Sequence, residues 1–316
     1  MAGGQERILR RRIRSVQSTK KITRAMELIA ASRIVRAQQA IAAARPYVDR
    51  VREVVNDLSQ DPEARRHPLY REPEEQRRTA VVAVTADRGL AGAYNSSILR
   101  TTERMIRDSE RAGSEVMLVT TGRKAQSYFR YRGRPPEAAF TGFSERPAFD
   151  DAREVAQVVM DAFRAGEVDA IKLVYTRFVS LGSQQVTVRQ LVPLVEAGAA
   201  PPDRRAAPAA ASASGSGAQP EERATVVYEY EPGPEEIVDR LLPGWIEAEV
   251  LAALLEAAAS EQAARQRAMK AATDNADDLI KRLTRVMNRA RQDAITTEIM
   301  EIVGGAEALR QARVAV

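Results

Sequence analysis

Residues 37–58, AQQAIAAARPYVDRVREVVNDL, set small or apolar side chains at Ala37, Ile41, Ala44, Val48, Val51, Val55 and Leu58, in alternating steps of four and three. Steps averaging 3.5 residues put these positions on one stripe of an α-helix, the seam along which two helices pair. Working backwards, Ile13, Val16, Ile22, Met26, Ile29 and Ile34 continue an apolar stripe with one local phase shift. The segment from about Gln5 to Asp57 therefore reads as one helix, about 80 Å long at 1.5 Å per residue. It ends before Asp61-Pro62, and Pro46 inside it must bend it or remove one backbone hydrogen bond.

The other end of the chain mirrors this pattern. Within residues 234–316, a second long helix is expected to begin after Leu242-Pro243-Gly244, at Trp245, and to run past Glu301. Its stripe is Ala258, Gln262, Arg265, Met269, Ala272, Ala276, Leu279, Leu283, Val286 and Ala290, where the alanines allow close approach and Gln262 and Arg265 interrupt an otherwise dry seam. Neither helix can cover its stripe alone. Because they flank a separate middle unit, the economical pairing is an antiparallel two-helix coiled coil built from residues 1–58 and 234–316.

The middle, residues 77–231, changes period. Short β-branched runs at Thr79–Thr85, Glu115–Thr120, Ala170–Thr176 and Gln185–Val192 alternate with helical stretches at Ser96–Arg111, Lys124–Tyr131 and Asp150–Phe163. Strand–helix alternation specifies a Rossmann-like α/β domain with parallel strands, the last two runs forming a hairpin. The fold class is thus α/β with a long antiparallel coiled coil. Residues 197–222 are Ala-, Pro-, Gly- and Ser-rich with no aliphatic side chain larger than alanine, so they read as a disordered insertion. Ala224–Tyr230 reads as a further strand beyond it.

Composition removes several chemistries. With no cysteine among 316 residues, disulfides, thiolate metal sites and cysteine nucleophiles are excluded. The single histidine, His67, lies in a polar stretch that reads as a solvated loop, which leaves no triad and no imidazole metal site. No apolar run approaches the roughly 20 residues that span a bilayer. Gly89 and Gly92 follow the first strand but match no phosphate-binding loop, and a tight strand-to-helix turn accounts for them. We identify no catalytic, cofactor-binding or metal-binding residue. Charge is uneven: the net charge is +5, yet residues 5–58 carry 13 basic and 5 acidic side chains. The first helix is therefore a cationic surface suited to an acidic partner, whether protein loops or nucleic acid. Its Arg-rich start resembles a transit peptide but continues into the periodic helix, so it reads as mature chain.

Five motifs, in order, resemble the gamma subunit of F-type ATP synthase: residues 18–32 (STKKITRAMELIAAS), 85–92 (TADRGLAG), 260–265 (SEQAAR), 269–275 (MKAATDN) and 288–305 (NRARQDAITTEIMEIVGG). Two features depart from the pattern: the 197–222 insertion, and Asp293 in place of a small residue. The resemblance implies a noncatalytic rotor shaft without cofactors, its coiled coil inside a hexamer of alpha and beta subunits and its α/β domain on the membrane c-ring, with an epsilon subunit as a further partner. It implies no nucleic-acid partner. Membrane association would go through partners at the cytoplasmic side of the bacterial inner membrane, with protons as the coupling ion.

On the same resemblance, hexamer contacts and coupling fall to Lys20, Lys21, Arg24, Met26, Arg33, Arg36, Arg265, Arg291, Gln292 and Thr296, and ring-facing positions to Tyr228 and Glu231. Met26 is expected level with Arg265, leaving about 25 C-terminal residues as a single helix beyond the pair, about 40 Å. That tip includes Ile295, Ile299, Ile302 and Val303, which would need an apolar sleeve. Two other readings stay open at this stage. An RNA-binding arm is favoured by the cationic helix, and a nucleotide-dependent enzyme would need cofactor affinity near Gly89–Tyr94.

Overall fold

In the computed structural model the first helix, α1, runs unbroken from Ala2 to Leu58. The structure describes residues 2–59, 61–67, 70, 77–194 and 233–314. Pro46 lies inside α1 and, having no N–H, leaves the carbonyl of Ala42 without its helical donor. The inward positions keep one heptad phase throughout: Leu9, Ile13, Val16, Lys20, Thr23, Glu27, Ala30, Ile34 and Ala37, then Ile41 to Leu58 as the spacing predicts, are buried or half-buried. The expected phase shift is absent. Ile22 and Ile29 face outward, 59% and 52% exposed, and polar Lys20, Thr23 and Glu27 take the seam. Following apolar residues misplaces the stripe here because α1 carries them on both faces.

The last helix, α5, spans Pro234–Val314 and lies antiparallel to α1. It starts about three turns before the expected position, with Pro243-Gly244 inside it. Leu242, Trp245 and Ile246, all buried, join Val55 and Leu58 in one core. Burying such side chains contributes about 1.5–3 kcal/mol each, enough to outweigh the ~3 kcal/mol cost of an interior proline. Farther along, Val286 is exposed and Met287 half-buried in its place, because a helix of 3.6 residues per turn drifts off a 3.5-residue stripe. The pairing is displaced from expectation by about one turn. Thr23 meets Thr273 and Lys20 meets Asp277, so Met26 stands level with about residue 270 and not with Arg265.

Between the helices stands a five-stranded sheet of order β3-β2-β1-β4-β5. It comprises β1 (Arg78–Val84), β2 (Glu115–Thr121), β3 (Ala138–Phe140), β4 (Ala170–Phe178) and β5 (Gln184–Val192). The first four are parallel, and β5 returns antiparallel to β4 as a hairpin. Helices α2 (Tyr94–Arg111), α3 (Arg123–Tyr131) and α4 (Phe149–Arg164) make the crossovers. β1 divides its side chains in strand alternation: Ala80, Val82 and Val84 join α4 and the lower part of α5, whereas Val81 packs with Tyr94 and Ile98 of α2. Sequence reasoning missed β3, whose three residues lack any β-branched side chain. The insertion at 197–222, the strand expected at Ala224–Tyr230, and Tyr228 and Glu231 lie outside the described residues.

Candidate functional site

In an open, mostly parallel sheet, ligands bind outside the carboxyl ends of the strands where strand order reverses. Here that point lies between β1 and β4, and α5 fills it. Ser260 Oγ donates to the carbonyl of Thr176 at 3.0 Å, and Arg265 Nη2 donates to the carbonyl of Gly89 at 3.3 Å. A Cβ built on Gly92 would meet the methyl of Ala268 at 3.7 Å. The crevice where a nucleotide would sit is thus occupied by the chain's own helix, which removes the ground for the nucleotide-dependent reading.

The 85–92 motif explains itself structurally. Thr85 Oγ1 donates to the carbonyl of Thr121 and accepts the N–H of Ala125, tying the ends of β1 and β2 together. Ala86 donates its N–H to Asn95 Oδ1 at 2.9 Å. Asp87 accepts the backbone N–H groups of Arg123, Gly142 and Ser144 at 3.1, 2.9 and 3.3 Å, so one carboxylate staples the loops after three strands. Leu90, at φ 62°, is held in the left-handed region with its side chain exposed.

Around this edge the expected contact residues separate into two groups. Arg265 is 4% exposed and pairs with Glu261 at 2.6 Å. Burial pushes the Glu261 carboxyl above its usual range despite the opposing pull of Arg265. Arg33 pairs with Glu145 at 2.6 Å, linking α1 to the loop stapled by Asp87, and Lys20 pairs with Asp277 of α5. These three cations are engaged within the chain. Lys21 and Arg36 point outward, Arg24 is exposed and pairs with Glu27 on its own helix at 2.9 Å, and Met26 is half-buried. Arg291, Gln292 and Thr296 are exposed on the distal part of α5, the Thr296 hydroxyl donating to the carbonyl of Gln292. The structure therefore does not gather the expected residues into one site. It spreads the outward ones along a rod.

Sequence reasoning missed Glu145, Asp87, Thr23 and Thr273 as organising residues. Thr23 was reachable, since counting back by sevens from Ala37 lands on it; Glu145 carried no signal in its neighbourhood. A second buried cluster near the lower end of the rod was also missed. Glu249 accepts from Arg52 at 2.5 and 2.9 Å and pairs with Arg189 of β5 at 2.8 Å. Above the rod's paired region, Ile295, Ile299, Met300, Ile302 and Val303 are 46–68% exposed. Among the described residues no helix is long and apolar enough to cross a membrane.

A family model described as ATP synthase matches residues 5–309. A protein of Frankia casuarinae described as ATP synthase gamma chain is 50% identical over 310 residues, covering 97% of this chain and 98% of its own length. The chain belongs to the ATP synthase gamma chain family. Its similarity to another such gamma chain, from Mycolicibacterium vanbaalenii, is 44% over 321 residues, covering 97% of this chain and 98% of that one. Two solved structures share the fold. A chain of the Euglena gracilis mitochondrial ATP synthase superposes with a TM-score of 0.63 at 18% identity, covering 98% of this chain and 96% of its own. One from the Tetrahymena thermophila mitochondrial ATP synthase, in its central stalk and c-ring, gives 0.59 at 23%, covering 79% and 99%.

Proposed function

We propose that this gamma chain is the noncatalytic central shaft of a proton-translocating ATP synthase, coupling rotation of a membrane c-ring to sequential ATP synthesis or hydrolysis at sites on beta subunits. The observation that carries the reading is the apolar end of α5. Five large side chains between Ile295 and Val303 are exposed beyond the paired region, and such a surface calls for an apolar sleeve supplied by other subunits. A hexamer of alpha and beta subunits is that sleeve, and the relatives' description as ATP synthase gamma chains supports it. Lys21, Arg24 and Arg36 face out of α1 and are suited to acidic loops of beta subunits. Diffuse attraction to such loops suits rotation better than locked pairs, which would resist each step. The asymmetry of the rod is the mechanism: chemically identical sites meeting different faces differ in nucleotide affinity, and a turn exchanges those affinities. The α/β foot rests on the ring, to which the family resemblance assigns Tyr228 and Glu231, with an epsilon subunit alongside. The complex stands at the cytoplasmic side of the inner membrane, where partners hold this chain. A tagged chain should co-purify with alpha and beta subunits, and the hexamer's ATPase rate should rise when the chain is present. A hexamer with the same rate in its absence would sink the assignment.

A further inference from the structure

The apolar seam of the rod does not fix its own alignment. Along α1 it reads Ala30, Ile34, Ala37, Ile41, Ala44, Val48, so moving the helix by seven residues lays alanine on alanine and isoleucine on isoleucine or valine. Apolar burial is non-directional and scarcely distinguishes the two. The lower end is fixed by Arg52 on Glu249, with Arg189 of the sheet on the same carboxylate. Lys20 stands about 48 Å higher along the axis. The highest ties to the foot are Arg33 on Glu145 and, from α5, Arg265 on the carbonyl of Gly89 and Arg267 on that of Leu181. A straight helix drifts about 20° per heptad from a 3.5-residue seam, so over the roughly 20 Å from Arg33 up to Lys20 these ties leave about 40° of azimuth undetermined.

We propose that Thr23–Thr273 and Lys20–Asp277 form a positioning layer that fixes the azimuth of the upper rod relative to the α/β foot. The two hydroxyls lie 2.8 Å apart, and Thr23 and Thr273 are 9% and 5% exposed. Each hydroxyl also reaches a carbonyl of its own helix, Thr23 that of Lys20 and Thr273 that of Met269, so both are satisfied whichever one donates across. One turn away the Lys20 ammonium donates to the Asp277 carboxylate. In this stretch Ile22, Leu28 and Ile29 face outward, which leaves the seam little apolar adhesion of its own. Polar groups at seam positions weaken a coiled coil but specify its alignment, because a shifted partner leaves them unpaired. The 18–32 and 269–275 motifs thus meet each other across the rod. The layer is a property of the two helices; only its consequence, which face of the rod is shown to which site, rests on the shaft reading.

The chain has no cysteine, so spin labels can be placed at Arg14→Cys, exposed on α1 above the layer, and at Arg104→Cys, exposed on α2 of the foot. In the full chain the label–label distance distribution should be narrow. It should widen at least twofold in Thr23→Val/Thr273→Val combined with Lys20→Ala/Asp277→Ala, while the double valine variant alone melts no lower than the parent. An unchanged width with a folded α/β domain overturns the proposal, as does a lowered melting temperature with unchanged width. If the combined variant does not fold, the charge series decides. Lys20→Asp should broaden the distribution and Lys20→Asp/Asp277→Lys should restore it; broadening that the swap does not reverse overturns the layer.

Discussion

A methyl group on residue 122 has nowhere to go. Gly122 has φ +85°, and a Cβ there would stand 2.2 Å from the carbonyl oxygen of Thr85. Gly122→Ala should cost roughly 3 kcal/mol in denaturant unfolding, combining left-handed strain with displaced backbone. Asp87→Ala, which strands three backbone donors, should cost a comparable ~2–5 kcal/mol by the same measurement. Glu256 predicts a pH dependence. Burial raises its carboxyl pKa against the pull of Arg177, Arg189 and Arg52, and its Oε2 has no hydrogen-bond partner among the described residues. A carboxyl whose folded pKa lies above its unfolded value binds more protons when folded, so stability is lost as pH rises from the unfolded value through the folded one. Glu256→Gln should therefore melt higher than the parent at about pH 8 and lose that advantage at about pH 5. None of this was legible in the sequence. Gly122, Asp87 and Glu256 matter through atoms that come from distant strands, and only the quoted 85–92 motif hinted at one of them.

At the scale of the helix the structure divides cations that composition counted together. Lys20 and Arg33 are held by Asp277 and Glu145, whereas Lys21 and Arg36 are directed to solvent. Lys20→Ala and Arg33→Ala should each lower the chain's own stability by about 0.2–1 kcal/mol, the range for partly exposed pairs. Lys21→Ala and Arg36→Ala should leave melting unchanged and instead flatten the salt dependence of association with an acidic partner, read by stopped-flow mixing. The helix pair itself was readable from its 4-3 spacing, because alternation of apolar residues survives any detail of packing. Its phase near Ile22 was readable only by carrying the heptad count back from Ala37, and not by following apolar residues, since an outward apolar residue looks the same in sequence as an inward one. Nor was the start of α5 legible: Pro243-Gly244 is a local stop signal that burial of Leu242, Trp245 and Ile246 overrides.

For the whole molecule, the rod's free end and the 197–222 insertion make opposite predictions. Replacing Ile299 and Ile302 by asparagine should leave the isolated chain's melting unchanged, because both are already exposed, yet reduce its retention by alpha and beta subunits in co-purification. Deleting residues 197–222, which carry no side chain able to join a core, should leave that retention intact. The amino-acid order alone determined two long helices with matching stripes, the strand–helix alternation between them, the cationic character of the first helix and the absence of thiol chemistry. Each is a matter of periodicity or count, fixed within a few turns of chain. Tertiary structure alone decided the alignment of the two helices, the occupation of the sheet's crevice by α5 and the pairing of Arg33 with Glu145. Those depend on groups from 84 to 257 residues apart in the chain meeting at hydrogen-bond distance, and nothing in local spacing encodes which of several equally apolar alignments brings them together.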